Sequence, residues 1–207
     1  MEKNKSVFAS KFKKIFSNIK FKSLTTKLFL INFISVFLIA SIMCFLINYC
    51  TNTIIDMYNQ YYTDSLMFQK KKQCKLQVES IMKIIENEFN NVKNGLKAPI
   101  DAKKDAIKTI RKLRYGDDNL GYYWISDITG LCVMHPISPE LEGTNLLNKK
   151  DKDGKKFIVE ILDSVDNAKE YGFTKYNYTK PDNRGLANKV TYSQRFDSWN
   201  WVISTGT

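Results

Sequence analysis

Hydrogen-bond donors recur at every second position in short segments of the second half of the chain. Tyr122 and Trp124 alternate in the first segment, His135 closes the second, and Tyr176 and Tyr178 alternate in the third. Period-two spacing places the side chains of one strand segment on one face of a sheet. A carboxylate in a partly dry pocket needs such donors, because burying an unpaired anion is costly. The pattern predicts an anion-binding face, with core packing of the aromatic residues and a structural role for the histidine as the alternatives.

The chain carries no recognisable catalytic set. It has one histidine, which excludes metal centres and triads built on several histidines, and it lacks the Walker A, GxSxG and HExxH motifs. Five residues match the spacing of an EF-hand loop, but a lysine at the first ligand position defeats calcium binding. These residues are Lys149, Asp151, Asp153, Gly154 and Glu160. We therefore expect no enzymatic activity, no metal and no cofactor.

Five segments rich in β-forming residues predict an antiparallel sheet. Residues 122–126 and 131–135 flank a turn at 127–130, which predicts a hairpin with Val133 and His135 on one face. Residues 172–179, 189–196 and 199–205 predict three further strands, separated by the turn at 180–185 and by residues 197–198. A short helix between the hairpin and the third strand has one apolar face, formed by Phe157, Ile158, Ile161, Leu162 and Val165.

Two helices precede the sheet. The apolar stripe of the first consists of Val78, Ile81, Met82, Ile85, Phe89 and Val92. No glycine or proline occurs between residues 49 and 94, so this helix can continue from the apolar run upstream as a stalk. Pro99 and Asp101 suit the first turn of the second helix, which residues 115–118 end. Helices packed on a five-stranded antiparallel sheet predict an α+β domain.

Residues 28–47 form an uncharged apolar run that can cross about 30 Å of hydrocarbon as a helix. Residues 1–27 hold eight lysines and one acid, and they carry most of the net charge of +11. Lysines next to a spanning helix favour the cytoplasmic side and contact anionic lipid, so the charge does not indicate nucleic-acid binding. We predict a cytoplasmic tail over residues 1–27, a transmembrane helix over 28–49 and an extracytoplasmic domain over 50–207.

Several separate motifs in the second half carry a resemblance. They are GYYWISDITG, MHPISPELEGTN, DKDGKKF, GFTKYNYTKP, KVTYSQRF and WNWVISTG. In this order and spacing they resemble the single Cache domain, the PAS-like extracellular sensor of bacterial methyl-accepting chemotaxis proteins and some sensor kinases. The resemblance covers about residues 70–206. It departs from the family at Ser204, where glycine is usual, and relatives continue beyond the position of Thr207 into a second spanning helix and a signalling domain.

The resemblance implies a long helix (residues 50–94) packed on a PAS-like part (98–206), with a pocket for acetate, propionate, pyruvate or lactate. Lys189 and Tyr192 match the family's KxxY motif. Strict alternation would place these two residues on opposite faces of the strand, so a bulge or a strand end must bring them to the same face. Arg114 is a further candidate from the helix side, although Lys189 and Arg114 are by default solvated charges. The expected protein is a homodimeric chemoreceptor input module in the cell membrane. The alternatives are the sensor part of a histidine kinase and a membrane-anchored binding or interaction protein.

Overall fold

The computed structural model describes residues 24–116, 119–166, 170–179 and 185–207. Residues 1–23 of the predicted basic tail, residues 117–118 after the second helix, and residues 180–184 of the turn predicted at 180–185 lie outside the described residues. The chain divides into two compact units, Met1–Tyr62 and Thr63–Thr207.

The first helix, α1 (Leu24–Lys93), contains the predicted apolar run and the predicted stripe. Within it, an 18-residue window has a mean hydropathy of 2.6 and none of it is buried, which makes it a candidate membrane span. Two of its hydroxyl groups bond within the helix, because Ser41 Oγ donates to the Phe37 carbonyl oxygen at 2.8 Å and Thr51 Oγ1 to the Ile47 carbonyl oxygen at 2.8 Å. Gly95 follows the helix at φ +71°, the left-handed conformation that ends helices.

The predicted α+β fold is confirmed. The second helix, α2 (Pro99–Lys112), begins at the proline, and a third helix, α3 (Phe157–Ser164), lies where the apolar face indicates. The strands are β1 (Tyr123–Asp127), β2 (Cys132–Met134), β3 (Tyr171–Thr179), β4 (Leu186–Phe196) and β5 (Trp201–Gly206). They form one antiparallel sheet in the order β2-β1-β5-β4-β3. Two short 3-10 helices cover Pro139–Leu141 and Asp197–Trp199.

Each face of the sheet carries its own apolar cluster. The helix-side cluster packs the α1 stripe and the buried residues of α2 against Tyr123, Ile125, Met134, Tyr192, Trp201 and Ile203. The opposite cluster packs α3 and Leu146 against Tyr122, Trp124, Cys132, Tyr176 and Val202. Alternation along β1 and β5 therefore divides their side chains between the two clusters.

The sheet differs from the predictions in several details, among them the fourth strand, which begins at Leu186 rather than at residue 189. The β1–β2 register shifts between Ile125 and Ser126, so that Ile125 pairs with Met134 and Ser126 with Cys132. Because of this irregularity Val133 packs against the helix-side cluster while His135 belongs to the opposite face, and the prediction that they share a face was wrong. The last strand begins at Trp201 rather than at residue 199, because the preceding 3-10 helix takes up those residues.

Candidate anion-binding site

A small cavity lies on the sheet face opposite α1 and α2, under the segment that connects β2 to α3 and the first residues of α3. Its walls are Tyr122, Trp124, His135, Leu141, Leu146, Lys149, Phe157, Ile158, Tyr176 and Tyr178. The volume of the cavity that the centre of a water molecule can reach is about 20 Å³. This is room for roughly one or two waters, so the cavity suits a ligand of few heavy atoms.

Aromatic stacking fixes the β3 wall. Tyr176 and Tyr178 alternate on β3, with their rings edge to face at a centroid distance of 5.9 Å. Phe157, the first residue of α3, stacks on Tyr176 at 4.3 Å and meets Tyr178 edge-on at 5.9 Å. Such contacts hold large side chains in one geometry, so the wall is built before any ligand arrives.

Two tyrosine hydroxyls keep a proton to donate. The Oη of Tyr122 accepts a hydrogen bond from Lys189 Nζ at 3.1 Å, and the Oη of Tyr176 accepts one from Thr191 Oγ1 at 3.0 Å. Each phenol is therefore an acceptor toward the protein, and its own hydrogen remains available to a ligand. Burial raises the pKa of Tyr122 to about 12 and also raises the pKa of Tyr176, so both remain neutral donors at pH 7.

His135 is a neutral donor of the same kind. Its Nδ1 accepts a hydrogen bond from the backbone N–H of Ser138 at 2.9 Å, so the proton of the neutral ring lies on Nε2. Burial, with the positive charges of Lys189 and Lys149, lowers the pKa of His135 to about 4. The ring, 5.3 Å from that of Tyr122 between centroids, lines the cavity and offers it an N–H at pH 7.

A forked ion pair holds the histidine backbone. The backbone N–H of His135 donates to Glu142 Oε1 at 2.8 Å. The same carboxylate accepts two hydrogen bonds from the Arg111 guanidinium, at 2.6 and 2.8 Å. This pairing lowers the pKa of Glu142. The C-terminal turn of α2 is thereby linked to the residue that lines the cavity.

Two lysines supply positive charge without an internal counterion. Lys189 Nζ lies 4.5 Å from the centroid of the Tyr122 ring and 5.6 Å from that of Tyr178, and Lys149 lines the cavity from the opposite loop. Both side chains are half-buried. Among the residues that the structure describes, no carboxylate lies within 4.0 Å of either ammonium group, and no acid is among the cavity walls. The cavity is therefore a positively charged, donor-rich site.

The loop that carries Lys149 is fastened to the edge strand β3. Asp151 Oδ1 accepts the backbone N–H groups of Asp153 and Lys155, each at 2.9 Å, and its Oδ2 accepts that of Asn177 at 3.0 Å. These bonds lower the pKa of Asp151. Lys155 Nζ also donates to the carbonyl oxygen of Lys175 on β3 at 2.6 Å. Asp151 thus orders a turn and closes the loop over the cavity.

Five of the eight predicted site residues line the cavity: Tyr122, Trp124, His135, Tyr176 and Tyr178. Lys189 joins them through Tyr122. That these residues contact a ligand remains a prediction. The structure does not bring Arg114 and Tyr192 to the cavity. Arg114 is exposed, and its guanidinium donates to the carbonyl oxygens of Arg111 and Leu113 at 2.9 and 2.8 Å.

Tyr192 belongs to the helix-side cluster, where its ring lies 5.0 Å from that of Phe173 and 5.8 Å from that of Tyr171. The register of β4 with both neighbours runs without a shift, so Lys189 and Tyr192 lie on opposite faces. Neither the bulge nor the strand end that was predicted to bring them together is found, because the pairing is regular and β4 begins at Leu186, before Lys189.

Sequence reasoning missed Lys149 as a wall of the cavity. It lies on an irregular loop, where no periodicity indicates a face, and the EF-hand spacing drew attention only to its unsuitability for calcium. Leu141 and Leu146 were missed for the same reason. Phe157 and Ile158 were predicted to lie on the apolar face of a helix, because their helical spacing indicates burial but not contact with a ligand.

Comparisons with known proteins identify the family of the domain. The family model described as single Cache domain 2 matches residues 66–207. Over 105 residues the chain is 31% identical to the methyl-accepting chemotaxis protein McpP of Pseudomonas putida and 31% identical to the sensor histidine kinase MctS of Rhizobium johnstonii. Each match covers 51% of this chain but only 19% and 22% of those proteins, about a fifth of their length. A solved Cache chemosensory domain, described for its carboxylic acid recognition, is 28% identical with a TM-score of 0.64, covering 70% of this chain and 96% of that one.

Proposed function

Because the chain belongs to the single Cache domain family, we propose that Thr63–Thr207 is the ligand-binding input part of a bacterial transmembrane chemoreceptor that senses a small carboxylate outside the membrane. One observation carries the proposal. The cavity presents neutral donors on Tyr122, Tyr176 and His135, and two lysines that lack a carboxylate partner among the described residues. A bound carboxylate supplies the missing negative charge and accepts the free hydrogens.

The shape and charge of the cavity favour acids of the acetate, propionate, pyruvate and lactate class. Its walls are otherwise aromatic and aliphatic, which suits a short alkyl chain, and its volume is small. An amino acid fits less well, because its ammonium group would meet Lys149 and Lys189, and none of the described cavity walls is an acidic side chain that could receive it. This discrimination follows from leaving a charged group unpaired.

The output is proposed from the relatives. Chemotaxis signalling is supported by the similarity to a methyl-accepting chemotaxis protein, and the second candidate, the sensor part of a histidine kinase, by the similarity to a sensor kinase. In either setting the N-terminal tail lies in the cytoplasm, the domain lies outside, and the receptor is a homodimer. The ligand shifts the arrangement of sheet and α1 by binding one arrangement more tightly than the other.

Ligand-dependent stability tests the proposal. The experiment is a thermal melt of the 207-residue chain in lipid nanodiscs with and without each acid, read by tryptophan fluorescence. All three tryptophans, Trp124, Trp199 and Trp201, lie in the sensor domain. A ligand at 100 times its dissociation constant adds about 2.7 kcal/mol, which raises the melting temperature by roughly 5–10 °C. L-Alanine is the matched amino acid and should give no shift.

Lys189→Met should abolish most of the shift. Lys175→Met is the matched control, because Lys175 is an exposed lysine on the neighbouring strand whose loss removes the same charge without touching the cavity. Absence of a shift with all four acids, or an equal loss in both variants, would contradict the carboxylate site.

A further inference from the structure

Lys189 makes its contact with Tyr122 across an intervening strand. It belongs to β4, whereas Tyr122 directly precedes β1, and β5 lies between these two strands. Neighbouring strands are about 4.8 Å apart, so the lysine must span about 10 Å over the surface of β5. Its Nζ nevertheless reaches Tyr122 Oη at 3.1 Å.

Gly206 occupies the crossing point. It pairs with Thr191 of β4 and directly follows Thr205, which pairs with Tyr123 of β1. A Cβ at Gly206 would lie 2.7 Å from Lys189 Cε, 2.5 Å from Thr191 Oγ1 and 2.9 Å from the Val190 carbonyl oxygen. Its φ is not positive, so the backbone conformation does not require glycine. The space above Gly206, which the lysine stem fills, is what requires it.

We propose that Gly206 is a positioning residue of the anion site, whose missing side chain leaves the passage through which Lys189 crosses β5. The inference rests on the proposed function, in which Lys189 binds the carboxylate. Two hydrogen bonds to tyrosines of the cavity depend on this passage. A methyl group at residue 206 would displace the lysine that hydrogen-bonds Tyr122, and also Thr191 Oγ1, which donates to Tyr176 at 3.0 Å.

The passage also connects the site to the end of the sheet. The backbone N–H of Thr207 donates to the Val190 carbonyl oxygen at 3.0 Å, and the N–H of Val190 donates to the Thr207 carbonyl oxygen at 2.9 Å. The pairing of β4 and β5 thus continues past Gly206, beside the lysine stem. A ligand that draws the ammonium group toward the cavity therefore acts on the stem where it contacts the last strand.

The test compares acetate affinity among variants of the full chain in nanodiscs by isothermal titration calorimetry. Gly206→Ala should weaken binding by about tenfold or more, the range for one lost charge-assisted hydrogen bond. In a Lys189→Met/Thr191→Ala background the same change should cost less than about threefold, because both interactions that it disrupts are already gone. Equal losses in the two backgrounds, or unchanged affinity in Gly206→Ala, would overturn the proposal.

Gly172→Ala is the matched control for general damage to the sheet. Gly172 is a glycine of β3 whose added Cβ would clash with Ser164 at the end of α3, outside the cavity walls. It should lower the melting temperature and leave acetate affinity within about threefold. If Gly206→Ala does not fold, Thr191→Ala/Gly206→Ala is compared with Thr191→Ala, which removes the hydroxyl clash and leaves the lysine as the side chain that must move.

A ligand-free measurement separates this inference from the proposed function. Reductive ¹³C-methylation labels the lysines for NMR, and the Lys189 resonance, assigned by its loss in Lys189→Met, should show the ring-current shift expected 4.5 Å from the Tyr122 ring. Gly206→Ala should remove that shift. If the wild type binds none of the four acids but the shift behaves as expected, the proposed function fails and the positioning role of Gly206 stands. An unchanged shift overturns the role of Gly206 whatever the ligand.

Discussion

The buried histidine should make the domain lose stability between pH 8 and pH 5. His135 is 6% exposed, and burial with the charges of Lys189 and Lys149 lowers its folded-state pKa from 6.5 to about 4, although Glu140 and Glu142 oppose this shift. As the pH falls below 6.5 the unfolded chain binds a proton that the folded protein does not, so the free energy of unfolding decreases. The two pKa values give a loss of about 2 kcal/mol at pH 5 and about 3 kcal/mol below pH 4.

Urea unfolding followed by tryptophan fluorescence measures this loss, because 2 kcal/mol corresponds to a shift of about 1 M in the midpoint. His135 is the only histidine of the chain, so no other imidazole contributes. Among the described residues the fold lowers the pKa of Glu142, whose ordinary value is 4.5, and of Asp105 and Asp151, whose ordinary value is 3.8, and their stabilising effect is lost at lower pH. The interval from pH 8 to 5 therefore isolates the histidine.

His135→Gln is the matched variant, because its amide keeps an N–H donor and does not titrate in this interval. We expect its midpoint to change by less than about a quarter of the wild-type shift, and saturating acetate to reduce the wild-type loss by stabilising a protonated ring. A wild-type midpoint that does not move between pH 8 and 5, or an equal fall in His135→Gln, would refute the assignment of a buried neutral imidazole.

Three further predictions concern the core, the thiols and the loop. Ile85→Ala empties a fully buried position of the α1 stripe and should cost about 2–5 kcal/mol of unfolding free energy, measured by urea denaturation, against a negligible effect of Leu76→Ala on the exposed side. Cys74 and Cys132 are free and buried, and burial raises the pKa of each thiol to about 11, so iodoacetamide should modify them only on unfolding, as mass spectrometry would show. Asp151→Ala should weaken acetate binding by releasing the loop from β3, whereas Asp151→Asn, which keeps one acceptor oxygen, should weaken it less. If calorimetry finds no difference in affinity between Asp151→Ala and the wild type, the role of Asp151 in holding the loop is contradicted.

The sequence predicts the parts of this structure that periodicity encodes. Val78, Ile81, Met82 and Ile85 recur at helical spacing because one side of α1 is buried, and Tyr176 and Tyr178 alternate because one face of β3 is buried. These patterns record burial on a regular backbone, so they identify both the helix and the wall of the cavity.

The remaining features depend on contacts that have no period. The β1–β2 register shift moves His135 to the cavity and Val133 to the helix side, and a local irregularity of this kind leaves no repeating pattern. Lys149 reaches the site from a loop whose position is set by the bonds of Asp151 to the backbone. Family resemblance proposed Lys189 and Tyr192 together, but the unbroken pairing of β4 separates them, and ordinary alternation was the better guide to their faces.

Thr205 links Tyr122, which lines the cavity, to Tyr115 on the helix side of the sheet. Thr205 Oγ1 donates its single hydrogen to the Tyr122 carbonyl oxygen at 2.6 Å, so the hydrogen bond of 2.7 Å between Thr205 Oγ1 and the Tyr115 hydroxyl must be donated by the tyrosine. Tyr115 packs against the helix-side cluster, and the Tyr122 hydroxyl receives Lys189 on the cavity side. In the proposed receptor a carboxylate that binds the Tyr122 hydroxyl therefore acts on a residue whose backbone is held from the helix side. A difference of 1.4 kcal/mol in ligand affinity between two arrangements of these bonds would change their ratio about tenfold, which is enough for a sensor that needs only a shift in population.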